Sequence, residues 1–517
     1  MTVDSQVAFT VNGRPVAVVD DGASLLEVLR DRLGLRSAKD GCSPQGQCGC
    51  CTVLVDGEPR VACVTPARRV AGRAITTIEG LGARAERWGD AFCSTGASQC
   101  GFCTPGIIVR LDALRSSGAG RDEIDRVERA LLAHLCRCTG WRTILDAWRA
   151  FDTPETAGSA RDLERASQRA TIEGGTPQRV APDVAVGGGG FADDTAPSDA
   201  LVAVPDGHGG WSVGETLVEA RHEAAKVQGR RTTIDVTHPI AVPEGDWIVT
   251  MQTAWVEPAY LETDASWCVP GGDPSSPLAN GGAFGGKVGS GVSTAARELA
   301  DRHGRAVRVL LSREDTVRLG PKRPPLAGGV RADGTGVVRV RRTPGIADAI
   351  TSFAPSLSVE EVDVAGPPTS IAVRAAGWAE AALLLAGAKG RTGVVVAPNG
   401  ARAEATVDAD GVHVRVAAGD PLDEIVLRSY CIGAAHMGLG WVTSEGIAVD
   451  DDGEPHDLTI RSFGVLRAVD TPPITVEIED DAGPPRNGSD AVFVAVAAAT
   501  WFAQGCPSRF PTGMRLR

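Results

Sequence analysis

The chain has no apolar run long enough to cross a bilayer: the longest, residues 491–503 (AVFVAVAAATWFA), falls well short of roughly 20 residues and reads as a buried helix. Residues 1–12 (MTVDSQVAFTVN) lack the basic start and apolar stretch of a secretory leader, so a cytoplasmic location without membrane contact is expected. No repeat of solenoid length is visible. No basic patch interrupts a balance of 52 Lys+Arg against 65 Asp+Glu, and a net charge of −13 repels nucleic acid and anionic lipid. What remains is a globular protein, 43% apolar and 23% charged with a mean hydropathy of −0.03. Its 517 residues, at roughly 150 per domain, suggest three or four units. Thirteen cysteines in a reducing compartment do not read as a disulfide framework, so metal ligation leads.

Residues 6–19 alternate apolar and polar about Asn12-Gly13, which predicts a hairpin. Ser24 then caps a short amphipathic helix that Gly34 stops. Thr52 to Val55 and Arg60 to Thr65 predict a second hairpin about Asp56-Gly57, and Ile75 to Ile78 a closing strand. Two hairpins around a helix make a small β-grasp-like domain. From Glu86 to Phe151 the apolar spacing turns helical, residues 152–185 read as a polar linker with a short helix near Arg161 to Arg169, and strand-like and helix-like segments alternate thereafter.

Two groups of cysteines carry the chemistry. GCSPQGQCGCCTVLVDGEPRVAC offers Cys42, Cys48, Cys51 and Cys63, with Cys50 as a neighbour; Gly41, Gly46 and Gly49 supply the positive φ and close approach a loop needs to aim amides at sulfur. Cys48 and Cys51 match the C-x2-C of a plant-type [2Fe–2S] site, while Cys42 sits one residue beyond the usual x4 spacing and leaves Cys42 against Cys50 open. The second group is Cys100 and Cys103 with Cys136 and Cys138. C-x-C strains a single tetrahedral zinc but suits a two-iron cluster, and Pro105 opens the helix that follows. Both groups read as [2Fe–2S] ligand sets.

GCSPQGQCGCCTVLVDG, SQCGFCTPGII and LCRCTGW, in this order, resemble the iron–sulfur subunit of the xanthine oxidase (molybdenum hydroxylase) family over residues 1 to about 150. The resemblance implies a first cluster facing a flavin, a second facing molybdopterin, and Gln99 in contact with the pterin. Beyond residue 185 a weaker resemblance to the molybdenum-binding large subunit rests on GFADD (Gly190 to Asp194), VEPAYLETD (Val256 to Asp264) and GGAFGGK (Gly281 to Lys287). It puts Gly282, Ala283, Phe284 and Gly285 in the loop that wraps the cofactor. GGAFGGK also fits G-x4-G-K, but Val288 stands where a P-loop needs Ser or Thr.

Three features depart from that family. Only a short Pro/Gly-rich stretch joins VEPAYLETD to GGAFGGK, no MGQG-type loop is evident, and Ser489 stands where the family has its Glu base, so the catalytic residue is unknown. A hydroxyl of very high pKa does not accept a proton at neutral pH. His436 reads as a core histidine, and His134 either tunes the second cluster or lies at the surface. Cys268, Cys431 and Cys506 read as buried thiols, and Asp450 to Asp452 as a hairpin turn.

The expectation is a multi-domain α+β protein: a ferredoxin-like [2Fe–2S] domain over 1–82, a helical [2Fe–2S] domain over 83–151, a linker over 152–185, and a truncated molybdopterin-binding-like region over 186–517 with subdomains at about 186–330 and 331–517. The expected function is that of an oxidoreductase subunit relaying electrons through two [2Fe–2S] clusters, with FAD on a partner chain and a full molybdopterin-binding subunit as a further partner in a hetero-oligomer. Molybdopterin bound in this chain at a base-less site, and a non-enzymatic two-cluster carrier or sensor, are the alternatives.

Overall fold

The computed structural model describes residues 6–153, 161–225, 235–278 and 282–514, so part of residues 1–12, part of the expected linker and Gly281 lie outside the described residues. The amino-terminal hairpin pairs Gln6–Val11 with Arg14–Val19 about Asn12 and Gly13, both at positive φ. A second pairs Thr52–Val55 with Glu58–Val61. The second hairpin is shorter than expected: Ala62–Val64 leaves the sheet as a 3₁₀ turn, which swings Cys63 back toward the cysteine loop. The closing strand, Ala74–Thr76, lies between the hairpins, parallel to the first and antiparallel to Thr52–Val55. Ser24 caps as expected, its side chain accepting from the Glu27 amide at 3.2 Å, but the helix is one α turn (Leu25–Glu27) running into a π turn (Val28–Arg32).

Helices Ala83–Thr95, Thr104–Ser116, Ile124–Ala130 and Arg142–Ala150 form the helical unit, centred on Trp88 stacked on Phe151 with ring centroids 3.8 Å apart. The segment expected as a linker contains Leu163–Gly174, a three-turn helix whose buried residues include Arg169 and Glu173. Its Arg169–Glu173 pair, fully buried, lies against the amino terminus of the Ser489–Ala503 helix.

Three further sheets follow among the described residues. One orders Trp211–Gly214, Leu201–Pro205, Val307–Leu310 and Ala265–Cys268. Another orders Leu357–Val362, Gly336–Arg341, Leu326–Val330, Val249–Thr253 and Arg509–Phe510. The boundary expected near residue 330 therefore falls in the turn of an antiparallel hairpin, because strands from before and after it complete one sheet. The last sheet, Val395–Val396, Arg402–Asp408, Gly411–Ala417 and Ile474–Ile478, packs on the helices Glu424–Thr443 and Ser489–Ala503. The apolar run at 491–503 is thus a buried helix. Among the described residues no helix is long and apolar enough to cross a membrane. The Glu424–Thr443 helix also packs against the Ala83–Thr95 helix and, through Gly433, against the Cys138 carbonyl, which puts the carboxy-terminal region on the second cysteine group.

Candidate metal centres and the glycine loop

The first cysteine loop is shaped by Ser43, Gly46 and Gly49, all at positive φ. A Cβ at Gly41 would stand 3.1 Å from the Cys50 sulfur and 3.2 Å from that of Cys48, and one at Gly49 would stand 2.5 Å from the His134 ring. Cys42, Cys48, Cys51 and Cys63 are all buried. The Cys42 sulfur meets those of Cys48 and Cys63, and Cys63 meets Cys51. Cys50 meets Cys48, with Cys42 and Cys51 also in its neighbourhood. Amides aim at the sulfurs: Gln45 at 3.2 Å and Gln47 at 3.5 Å to Cys42, and Cys63 at 3.5 Å to Cys51. Hydrogen bonds from Cys48 and Cys63, with those amides, hold the Cys42 thiol well below its usual range, and the same contacts push Cys48 and Cys63 up. Sulfurs this close cannot all ionise in a buried site without a compensating cationic core.

In the second group Cys138 and Cys100 meet sulfur to sulfur at 3.6 Å, and Cys103 pairs with Cys136. The hydrogen bond from Cys103, helped by Thr139 at 3.1 Å, pulls Cys136 down to about 7, whereas Cys103 and Cys138 are pushed up. Cys103 stands at the N-cap of the Thr104–Ser116 helix, with Pro105 in its first turn, so the positive end of the helix dipole lies at this cysteine. His134 is buried rather than at the surface: its Nε2 lies 3.1 Å from the Thr52 hydroxyl, and burial lowers it to about 3.

The two loops touch. The Leu135 amide donates to the Cys48 carbonyl at 3.0 Å, and Leu135 directly precedes Cys136. Between the ligand candidates Cys136 and Cys138, Arg137 forms a bidentate ion pair with Glu445 at 2.6 and 2.7 Å and donates to the Pro258 carbonyl at 3.0 Å. Nothing in the sequence announced this pair, whose members lie 308 residues apart.

The glycine loop comes to the second cysteine group. A Cβ at Gly282 would stand 3.0 Å from the Cys100 sulfur and 3.5 Å from that of Cys138. Ala283 is buried. Phe284 has φ +49°, and its ring lies 4.8 Å from the Arg374 guanidinium. Gly285 is held so close to the Ala372 carbonyl that a Cβ would clash at 1.7 Å. The space bounded by this loop, Cys100, Cys103, Cys138 and Tyr260 is a cavity of about 10 Å³. Gln99 donates to the Cys138 carbonyl and the Ser429 hydroxyl, both at 2.9 Å. Ser489 is fully buried: it accepts from Arg374 at 3.0 Å, donates to Asn487 at 3.2 Å, and its amide donates to Glu173 at 2.9 Å. Arg374 also pairs with Asp490 at 3.1 Å. Glu173 and Arg374 carried no motif and emerge only from the packing.

Two family models match: the 2Fe-2S iron-sulfur cluster binding domain over residues 9–73 and the [2Fe-2S] binding domain over residues 77–149. Xanthine dehydrogenase of Drosophila subobscura is 34% identical over 194 residues, 35% of this chain and 14% of that protein. Aldehyde oxidoreductase of Megalodesulfovibrio gigas is 44% identical over 148 residues, 28% of this chain and 16% of that protein. Residues 9–73 and 77–149 thus match two [2Fe–2S] domains, and a third or so of the chain is homologous to xanthine dehydrogenase and aldehyde oxidoreductase. Both relatives are oxidoreductases, and the matched part spans about a seventh of their length. The fold likeness reaches further. Aldehyde oxidoreductase from Desulfovibrio gigas matches with a TM-score of 0.71 at 15% identity, covering 98% of this chain and 99% of that one. That from Desulfovibrio desulfuricans matches with a TM-score of 0.65 at 14% identity, covering 96% of each. At these identities the likeness is one of fold.

Proposed function

We propose that the chain is an iron–sulfur oxidoreductase subunit of the molybdenum-hydroxylase type, holding one [2Fe–2S] cluster at Cys42, Cys48, Cys51 and Cys63 and a second at Cys100, Cys103, Cys136 and Cys138. The observation that carries this reading is the hydrogen bond from the Leu135 amide to the Cys48 carbonyl, which joins the two ligand loops directly. When bound, such clusters supply one-electron redox chemistry. The chain's own residues do the rest: Gly46 and Gly49 let amides reach the sulfurs, the amides of Gln45, Gln47 and Cys63 stabilise thiolate charge, and burial excludes water. Cys42 is preferred to Cys50 because its sulfur meets two of the other three.

The residues that the resemblance assigns to molybdopterin do not fit it. Cofactor sites run to roughly 300–1,000 Å³, against about 10 Å³ here. The Gln99 amide is engaged by Cys138 and Ser429, and the Ser489 hydroxyl by Arg374 and Asn487. We therefore assign the molybdopterin to a separate large subunit and the flavin to a further partner chain of a cytoplasmic hetero-oligomer. Residues 186–517 then act as a scaffold that covers the second cluster.

Anaerobic purification should give iron near four per chain without stoichiometric molybdenum. Cys51→Ser and Cys103→Ser should each remove one of two distinct [2Fe–2S] signals in electron paramagnetic resonance, while Cys50→Ser keeps both. A protein isolated with zinc, or one in which either ligand variant retains both signals, overturns the assignment.

A further inference from the structure

One cleft among the described residues belongs neither to the cysteine groups nor to the glycine loop, yet it opens beside the contact between the two ligand loops. It holds about 690 Å³, within the size range of small-molecule sites. Its lining is mixed, with Leu135, Leu439 and Leu466 beside Arg461, Arg467 and Asp470. Leu135, whose amide donates to the Cys48 carbonyl and which precedes Cys136, lines the cleft, so the cleft borders a residue in contact with one candidate ligand of each group. Arg461 is held in place by donating to the Gln47 carbonyl at 2.8 Å and the Leu132 carbonyl at 2.7 Å, and Arg467 by Asp470. The opposite wall is fixed by the amides of Thr512 and Gly513, which donate to Val442 and Thr443 at 2.8 and 3.0 Å.

We propose that this cleft binds a planar aromatic carbonyl compound of quinone size and that such a compound accepts electrons from the chain there. Leu135, Leu439 and Leu466 supply apolar surface for the ring, and the N–H groups of Arg461 and Arg467 not used in the contacts with Gln47, Leu132 and Asp470 suit the carbonyl oxygens, which a purely apolar pocket would leave unpaired. The balance is simple: the quinone takes two electrons, one from each reduced cluster, and two protons from solvent at the open mouth, and leaves as the hydroquinone. The binding stands on the cleft alone; the electron transfer rests on the cluster assignment above.

Equilibrium dialysis of the purified holoprotein with menadione tests it. Saturable one-site binding is expected, weakened about tenfold or more by Val465→Trp, which fills the cleft, and by Thr512→Trp on the facing wall. In dithionite-reduced protein freed of excess reductant, reoxidation by menadione should slow by a similar factor, while reoxidation by ferricyanide, which needs no site, stays unchanged. Iron content and circular dichroism identify a variant that fails to fold, and the other variant then decides. Absence of saturable binding by the wild type, or unchanged binding in a folded cleft-filling variant, overturns the proposal. Normal binding by a protein that proves iron-free would sink the cluster assignment and leave the binding site standing.

Discussion

Replacing Glu445 with Gln should be among the most damaging single changes that leave every cysteine in place. The Arg137–Glu445 pair is bidentate and buried, with side-chain exposures of 5% and 1%. Charges about 4 Å apart at an effective dielectric constant of about 20 attract by about 4 kcal/mol. Removing one partner of such a pair typically costs about 3–5 kcal/mol, because the other charge stays buried without compensation. The two halves are not equivalent: Glu445→Gln leaves an always-charged guanidinium buried without its partner, whereas Arg137→Met leaves a buried carboxylate without one, and each should lose stability on its own account. The double variant Arg137→Met/Glu445→Leu should recover most of the stability, since a well-packed apolar pair is often as good as a buried ion pair. Urea unfolding of wild type, both single variants and the double variant closes the cycle, and a coupling energy of about 3 kcal/mol is expected. A coupling below about 0.5 kcal/mol would refute the claim that this pair fastens the second cysteine loop to the carboxy-terminal region.

His436, fully buried with Nε2 3.1 Å from the Leu466 carbonyl, is lowered to about 3 by burial. Its stabilising effect is therefore complete above its unfolded pKa near 6.5 and lost as pH falls toward 3. His436→Gln should remove about 2 kcal/mol of the stability difference between pH 6.5 and pH 5 in urea unfolding, and an unchanged difference would show that the imidazole titrates freely. Ser489→Glu would place a further carboxylate beside Glu173 and Asp490, with Arg374 already engaged. It should cost about 2–4 kcal/mol and bring no molybdenum with it; a variant as stable as wild type that purifies with molybdenum would contradict the closed site.

Local chemistry was legible. The Asn12-Gly13 turn, the Ser24 cap and Pro105 in the first turn of its helix follow from residues within a few positions of one another, as do the positive φ of Gly46 and Gly49; Gly41 has no positive φ and serves only by its close approach to the sulfurs. The sequence also named eight cysteines whose sulfurs the structure brings into two groups, because each group draws on short-spaced loops. Where a strand ended or paired was less legible: the departure of Ala62–Val64 from its sheet and the central position of Ala74–Thr76 depend on neighbours from other segments.

The amino-acid order by itself determined the kind of metal chemistry this protein is built for, because thiolate spacing and glycine placement act over a handful of bonds. Only the tertiary structure decided what covers that chemistry. Gly282 against Cys100 and Cys138, Glu173 of the supposed linker against Ser489, and Glu445 against Arg137 are all contacts between distant segments. Such contacts are set by the packing of whole helices and sheets, which no local spacing encodes.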